Sequence, residues 1–238
     1  FLTSFYMTLS LPQNNLFVFY DADGTLIDSI PAHMKFLREM NKKFKCHLDL
    51  RDHHHRKACR KIMNSSSMSD FLENAGFDLK LMDKIKYEYT SNFSDNNKYH
   101  TDLFEGIPEM VQDFSKKGVR QGILTANYRQ NVEGILKKKN IEKFFYPVID
   151  RMELDRTYDG DKAQYLRFYR GMQMLLPNEI IYVGDTWKDY EKAMKAEVPF
   201  IGVTYGWEFT PEDRDKKEFD LFLVDSVKEL ENEIRKLI

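Results

Sequence analysis

Residues 16–26 read Leu-Phe-Val-Phe-Tyr-Asp-Ala-Asp-Gly-Thr-Leu, and they carry the strongest structural signal in the chain. It opens with an apolar run of strand length, which Asp21 and Asp23 follow directly, with Gly24 at the turn. Parallel sheets present their functional groups outside the carboxyl ends of their strands, so we expect both carboxylates at such an edge. Two anions this close repel each other. The pair therefore predicts a bound cation, and a hard divalent ion with oxygen ligands suits it best.

This acidic pair has two other interpretations. A calcium loop of the EF-hand type requires further oxygen ligands, a glutamate twelve residues from its start and flanking helices, which this stretch lacks. Alternatively, the two aspartates serve only as a turn residue and a cap before a helix near Pro31. Taken alone, residues 21–25 leave that second interpretation open.

Residues 21–25 match the Asp-x-Asp-Gly-Thr signature of the haloacid dehalogenase-like hydrolases, and Leu26, Asp28 and Ser29 extend the match. Most members of that superfamily are phosphatases. The chain resembles the branch that contains phosphoglycolate phosphatase and β-phosphoglucomutase, whose members carry a helical cap.

Two later motifs strengthen the resemblance. Residues 123–127 form an apolar run that ends in Thr125, although an ordinary helix cap before Tyr128 would give the same pattern. Residues 180–184 form a third apolar run that leads into Asp185, and Asp189 follows four residues later. This resembles the metal-binding Gly-Asp-x-x-x-Asp motif of the family.

The resemblance implies roles for the acidic residues. Asp21 would attack phosphorus, and Asp23 would act as general acid and then as general base. Mg²⁺ would be held by the Asp21 carboxylate, the Asp23 backbone carbonyl and Asp185. Asp189 would support Asp185 from the next helical turn.

The resemblance also implies a set of phosphate-binding residues. They are Thr125, Ala126, Asn127, Lys162 and Gly24, the last because a glycine lets the turn bring the next amide close to the phosphoryl group. Two departures from the family pattern are Ala163, where a proline is usual, and Glu197, where a glycine is common. Lys137, Lys138 and Lys139 are rivals of Lys162, but they lie at the end of a predicted helix, where they would face water.

Strand-like and helical patterns alternate along the chain, which predicts an α/β fold with a mainly parallel, Rossmann-like sheet flanked by helices. The predicted strands are 16–20, 120–125, 146–149, 180–184, 200–204 and 220–224. The predicted helices include 31–44, 69–75, 79–93, 108–117, 128–139 and 226–238.

No convincing strand is predicted between residues 29 and 102, where the patterns are helical. This insertion resembles the all-helical cap of the family, which closes over the active site. We therefore predict a core domain of residues 1–29 and 102–238 and a cap domain of residues 30–101, with hinges near 29–31 and 101–108. A purely structural insertion is the alternative.

Bulk properties exclude several classes of protein. The chain has 238 residues, of which 42% are hydrophobic and 31% charged, and its net charge of −2 gives no basic field for nucleic acid. No apolar run reaches the roughly 18 residues of a membrane span. Cys46 and Cys59 have no metal-ligand spacing and are expected to be free thiols, as in a cytoplasmic protein. No protein partner can be inferred.

Three features allow both a functional and a structural interpretation. Residues 51–61 form a cluster of basic residues and histidines, which is either an anion-attracting or metal-binding rim or simply a solvated helix face. His33 either faces the cleft between cap and core or is buried as a structural residue. Trp207 either lines the pocket or packs in the core.

The sequence therefore predicts a Mg²⁺-dependent phosphatase that hydrolyses a small phosphorylated metabolite through an aspartyl-phosphate. Asp23 favours phosphoryl chemistry, because the dehalogenases of the family lack an acid at that position. A phosphomutase and a catalytically silent binding protein of the same fold are the alternatives. A phospho-accepting receiver domain shares the residue types, but it is too short and has its motifs in another order.

Overall fold

The computed structural model describes residues 15–50, 62, 68–92, 99, 101–216, 219 and 221–238. Within these ranges no helix is long and apolar enough to cross a bilayer. The strands are β1 (Phe17–Tyr20), β2 (Ile27–Asp28), β3 (Asp102–Leu103), β4 (Arg120–Leu124), β5 (Val148–Ile149), β6 (Ile180–Gly184), β7 (Phe200–Val203) and β8 (Leu223–Val224). The helices are α1 (Ile30–Phe44), α2 (Met68–Asn74), α3 (Met82–Asn92), α4 (Ile107–Lys116), α5 (Arg129–Lys138), α6 (Arg151–Tyr158), α7 (Lys162–Met172), α8 (Trp187–Ala196) and α9 (Val227–Arg235).

Six strands form one sheet in the order β5-β4-β1-β6-β7-β8, and every neighbouring pair is parallel. These are the six strands that the sequence predicts, β6 with the predicted bounds and the other five with shorter ones, so the predicted α/β class is confirmed. All four residues of β1 are buried. Such near-continuous burial is typical of a parallel strand that has helices on both faces of its sheet.

The two faces of the sheet carry separate apolar cores, because alternate residues of a strand point to opposite faces. Val18 belongs to the core on one face, together with Leu230 of α9. Phe19 belongs to the core on the other face, together with Ala193 of α8. The sheet is thereby fixed between two helical layers, and its strand ends are held rigidly.

A third apolar cluster joins the helices between β2 and β3. It contains Phe36 and Leu37 of α1, Leu72 of α2 and Ile85 of α3, all of them fully buried. The predicted helix from residue 79 begins as a short 3-10 turn at Leu79–Leu81 and continues as α3. The all-helical character of the described part of the insertion agrees with the sequence, and the domain boundaries at 29/30 and 101/102 stay predictions.

Strands β2 and β3 form a small antiparallel pair that the sequence analysis did not predict. Ile27 pairs with Leu103 and Asp28 pairs with Asp102, so the chain leaves the sheet region and returns to it at one place. Strands of two residues contain no measurable alternation of apolar and polar residues, which is why the pattern was missed. The predicted hinges adjoin this pair.

Candidate active site

The order of the strands brings three distant polar residues to one edge of the sheet. Strand β1 lies between β4 and β6, with Tyr20 level with both Ile123 and Val183. The residues that follow these strands are therefore neighbours. They include Asp21, Thr125 and Asp185, and all three are buried.

The turn after β1 needs a glycine at position 24. Gly24 has a φ of +80°, a conformation that side chains disfavour. A Cβ atom added there would lie 2.1 Å from the Asp185 Oδ2 atom. Asp185 can therefore approach the turn only because residue 24 has no side chain. This is the contact that the structure shows for Gly24, which the sequence predicts to be part of the phosphate-binding loop.

Three carboxylates meet at this edge. One oxygen each of Asp21, Asp185 and Asp189 lies within 4.8 Å of the others. Burial, followed by the charges of Asp189 and Asp21, raises the pKa of Asp185 well above its ordinary value. Burial also raises the pKa of Asp21 to about 7, although Lys162 acts against that rise. Crowded, buried oxygen ligands of this kind suit a hard divalent cation, so the residues present fit a Mg²⁺ ion.

Lys162 lies at the centre of the acidic group. Its Nζ atom is 2.8 Å from the Asp21 Oδ1 atom, 2.8 Å from the Asp189 Oδ1 atom and 2.8 Å from the Tyr182 hydroxyl. Burial tends to lower the pKa of Lys162, but Asp189 and Asp21 outweigh burial and raise it. The side chain is therefore a fixed positive charge beside Asp21, and its role in binding phosphate stays a prediction.

The rival lysines lie elsewhere. Lys137 pairs with Glu133 on the surface of α5, and Lys139 pairs with Asp102. Lys138 is exposed. The alanine at position 163 does not displace Lys162, because the carboxylate of Asp161 caps α7 through the Ala163 N–H.

Asp189 is placed differently from the prediction that it supports Asp185. Its carboxylate accepts hydrogen bonds from Lys162, from the Tyr182 hydroxyl at 2.6 Å and from the Thr186 hydroxyl at 2.6 Å. Burial would raise the pKa of Asp189, but Lys162 and these donors lower it. Asp189 thus orients Lys162 while it remains close to Asp185.

Asp185 is held by groups that the sequence analysis did not identify. Its Oδ1 atom accepts a hydrogen bond of 3.2 Å from the Thr25 hydroxyl, and its Oδ2 atom accepts one of 2.6 Å from the backbone N–H of Trp207. Tyr182 was also missed. A tyrosine within the apolar run of β6 is a usable signal, because a buried phenol requires a hydrogen-bond partner.

Asp23 is half-buried and faces the residues that follow β4. The Asn127 side-chain amide donates a hydrogen bond of 2.7 Å to the Asp23 Oδ2 atom. Burial raises the pKa of Asp23, and the Asn127 amide opposes that rise. Asn127 is predicted to bind phosphate, but its side chain is directed to the second aspartate.

Thr125 and Ala126 remain available to an oxyanion. The Thr125 hydroxyl oxygen accepts a hydrogen bond from the Asn127 N–H at 3.1 Å, which orients the hydroxyl at the end of β4. Among the described residues, none accepts a hydrogen bond from the Ala126 N–H. Both residues line the same cavity as Asp21.

A cavity of about 1290 Å³ opens between the sheet edge and the inserted helices. Its upper wall, on the side of the inserted helices, is aromatic. The His33 ring is stacked on that of Tyr89, with centroids 6.0 Å apart, and meets the Trp207 ring edge-on, with centroids 5.8 Å apart. His33 is 8% exposed, and burial lowers its pKa to about 3, so it is neutral at pH 7. Both interpretations of His33 hold, since it is buried and lines the cavity, and Trp207 also lines it.

Two features of the sequence cannot be placed. The basic cluster at residues 51–61 and Cys59 lie outside the described residues. Cys46 is half-buried, and within the described part of the chain it forms no disulfide.

Comparison with known proteins agrees with this architecture. The chain is 24% identical over 194 residues to a phosphoglycolate phosphatase of Pseudomonas putida, and the alignment covers 80% of this chain and 70% of that protein. It is 27% identical over 196 residues to the pyrophosphatase PpaX of Bacillus cereus, and the alignment covers 79% of this chain and 82% of that protein. A crystal structure described as a predicted phosphatase from Clostridium acetobutylicum superposes with a TM-score of 0.71 at 22% identity. The superposition covers 93% of this chain and 98% of that one.

The family is established by a match that spans most of the chain. Residues 18–203 match the family described as haloacid dehalogenase-like hydrolase. The match includes β1 with its acidic turn, the inserted helices and the strands that carry Thr125 and Asp185. The chain therefore belongs to the haloacid dehalogenase-like hydrolases.

Proposed function

We propose that this hydrolase is a Mg²⁺-dependent phosphatase that cleaves a small phosphate monoester through an aspartyl-phosphate on Asp21. The observation that carries the proposal is the contact between Asp21 and Lys162 at the floor of the cavity, with an Nζ–Oδ1 distance of 2.8 Å. A carboxylate held beside a fixed cation and a hydroxyl can attack an anionic phosphoryl group without leaving the negative charge uncompensated.

The first step is displacement at phosphorus. An Asp21 oxygen forms a bond to phosphorus while the bond from phosphorus to the ester oxygen breaks. Asp23 gives its proton to the departing oxygen, and its raised pKa favours the protonated form that this step requires. Thr125, the Ala126 N–H and Lys162 hold the phosphoryl oxygens.

The second step restores Asp21. Asp23, now a carboxylate, takes a proton from a water molecule whose oxygen attacks phosphorus. The bond between phosphorus and Asp21 breaks, and inorganic phosphate leaves. The tyrosine and histidine on the upper wall exclude other water from the reacting groups.

The residues that would hold the metal are the Asp21 and Asp185 carboxylates and the Asp23 backbone carbonyl. When bound, Mg²⁺ supplies positive charge that neutralises the phosphoryl oxygens. Asp189, whose carboxylate is close enough to be a ligand, is committed to Lys162 and Tyr182 and keeps the lysine in place.

The substrate class is inferred from the size of the cavity and from the names of relatives. Proteins similar to this chain are named for phosphoglycolate and pyrophosphate, both of which are small phosphorylated compounds. The described residues of the cavity carry acidic and basic groups in similar number, which favours a small charged metabolite over a polyanion such as nucleic acid.

The test is release of phosphate from a panel of phosphorylated metabolites with and without Mg²⁺. We expect turnover only with the metal, and we expect Asp21→Asn to lower kcat by about 10⁴-fold or more. Asp155→Asn, which changes an exposed carboxylate on α6, is the control. Substantial activity in Asp21→Asn would eliminate Asp21 as the nucleophile, and an isomerised sugar phosphate without free phosphate would indicate a mutase.

A further inference from the structure

The cavity contains a positively charged side chain that the proposed chemistry does not use. The cations on its wall fall into two groups by their partners. Four of them bind carboxylates, namely Lys162, Lys192, Arg129 and Arg151. Lys86 and Lys188 have no carboxylate partner among the residues that the structure describes.

Lys86 is the better placed of these two lysines. It is half-buried on α3, whereas Lys188 is exposed at the start of α8. Lys86, Tyr89 and Thr90 all line the cavity. Residues three and four apart lie on one face of a helix, so one face of α3 is turned towards the cavity.

Aromatic contacts connect this face of α3 with the reacting groups. Tyr89 stacks on His33, and His33 contacts the indole ring of Trp207. The backbone N–H of Trp207 donates a hydrogen bond of 2.6 Å to the Asp185 carboxylate. Burial, and then the charge of Asp23, raises the pKa of Tyr89, which agrees with a position of the phenol beside that carboxylate.

The leaving group of a substrate must lie on this side of the cavity. Asp23 is the group that would protonate the leaving oxygen, and it lines the same cavity as Tyr89. With a rise of 1.5 Å per residue, Lys86 starts about 4.5 Å along the helix axis from Tyr89. Its four-carbon stem can then bring the ammonium group to an atom a few bonds beyond the ester oxygen.

We propose that Lys86 binds an anionic group on the leaving portion of the substrate. The preferred substrates are then phosphate monoesters whose leaving group carries a carboxylate or a second phosphate. This inference rests on the proposed phosphatase activity and specifies the substrate class of the same site. Lys86 is half-buried and has no carboxylate partner in the described part of the chain, so its ammonium group gains a charge-assisted hydrogen bond when such a substrate binds.

The test uses three esters with the same two-carbon chain. They are 2-phosphoglycolate, ethane-1,2-diol bisphosphate and 2-hydroxyethyl phosphate, which end in a carboxylate, a phosphate and a neutral hydroxyl. The full-length protein is assayed with Mg²⁺ as wild type, Lys86→Met, Lys86→Arg and Lys84→Met. Lys84 is exposed on the same helix and lies outside the cavity, so it is the matched control.

We expect the wild type to prefer an anionic ester over the neutral one. Lys86→Met should lower kcat/KM for the anionic ester by about 10- to 100-fold and leave the neutral ester unchanged. Lys86→Arg should retain most of the preference, and Lys84→Met should match the wild type. The anionic ester whose kcat/KM falls most in Lys86→Met shows whether the bound group is a carboxylate or a phosphate.

Two results would overturn this inference and leave the proposed phosphatase function intact. One is an equal loss on all three esters in Lys86→Met, which indicates a structural role. The other is activity on all three esters that Lys86→Met does not change. If the wild type releases no phosphate from any ester on the wider panel, the proposed function fails and this inference fails with it.

Discussion

The side-chain amide of Asn127 donates a hydrogen bond of 2.7 Å to the Asp23 carboxylate, although the two residues are 104 positions apart. The amide oxygen of Asn127 accepts from the Tyr128 N–H at 2.7 Å and from the Asn131 amide at 3.1 Å. With its oxygen fixed in this way, the nitrogen can only be directed to Asp23. Asn127 therefore positions the proposed general acid.

Replacing Asn127 by alanine should impair protonation of the leaving group. General acid catalysis contributes about 10²- to 10⁴-fold, and its partial loss should lower kcat/KM, which reports on the first displacement, by about 10- to 100-fold for an alkyl phosphate. For 4-nitrophenyl phosphate the loss should be much smaller, because that leaving group departs without a proton. Steady-state kinetics on the two esters measure the difference.

The control for Asn127 is Gln112→Ala, which removes an exposed amide from α4, outside the cavity. This variant should hydrolyse both esters with the kinetic constants of the wild type. An equal loss on both esters in Asn127→Ala would instead support the sequence-based prediction that Asn127 binds the phosphoryl group.

Gly24→Ala should disrupt the site through a direct clash. The new Cβ would lie 2.1 Å from the Asp185 Oδ2 atom, so either the turn or the carboxylate must move. We expect loss of most phosphatase activity and weaker Mg²⁺ binding, measured by turnover and by titration calorimetry.

Gly118→Ala is a matched control for that change. Gly118 has the same φ of +80°, but nothing lies within 4 Å of its added Cβ. Both variants should lose about 1 kcal/mol of stability from the backbone conformation. If Gly118→Ala lost activity to the same extent, the clash with Asp185 would not be the cause.

Mg²⁺ should stabilise the folded chain through Asp185. A metal present at about 100 times its Kd adds roughly 2.7 kcal/mol, which thermal unfolding detects as a higher Tm. In Asp185→Asn the rise in Tm should be much smaller. Without metal this variant should be at least as stable as the wild type, because burial and the neighbouring carboxylates disfavour the charged form of Asp185.

Asp113→Asn serves as the control for the metal experiment. Asp113 lies on α4 and pairs with Arg235 at 2.9 Å, outside the cavity. Its variant should show the same rise in Tm as the wild type. An undiminished rise in Asp185→Asn would exclude Asp185 as a ligand.

The helix that carries Lys162 should show a pH-dependent stability. Burial acts to raise the pKa of Asp161, but hydrogen bonds from Lys195, Lys192 and the Ala163 N–H lower it to about 2. Because the folded-state pKa lies below the ordinary value, this stabilisation is complete above about pH 5 and is lost as the pH falls towards 2.

Asp161→Asn retains a good helix cap but removes the charge. Since Lys195 is half exposed, we expect a loss of only about 1 kcal/mol at pH 7, shrinking as the pH falls below about 4. Urea denaturation at several pH values measures it. Asp155→Asn, at an exposed pair with Arg151, should change stability by less than about 0.5 kcal/mol, and a pH-independent loss in Asp161→Asn would refute the charge argument.

Much of the fold could be predicted because its signals are local. An apolar run followed by a polar turn marks each sheet strand, and a helical pattern marks each connection. Gly24 could be singled out because a tight turn needs its conformational freedom. The pair β2 and β3 could not be predicted, since strands of two residues are too short a signal on their own and the partners Ile27 and Leu103 lie on either side of the inserted helices.

The amino-acid sequence was enough to predict the class of sheet, the acidic turn at Asp21 and Asp23, and the strand ends that carry Thr125 and Asp185. Those features follow from residue type and order, because parallel strands bring their carboxyl ends to one edge. Only the tertiary structure decided that Asn127 turns to Asp23 and that Asp189 holds Lys162. A side chain chooses its hydrogen-bond partner by distance and direction, and packing sets both only once the chain has folded.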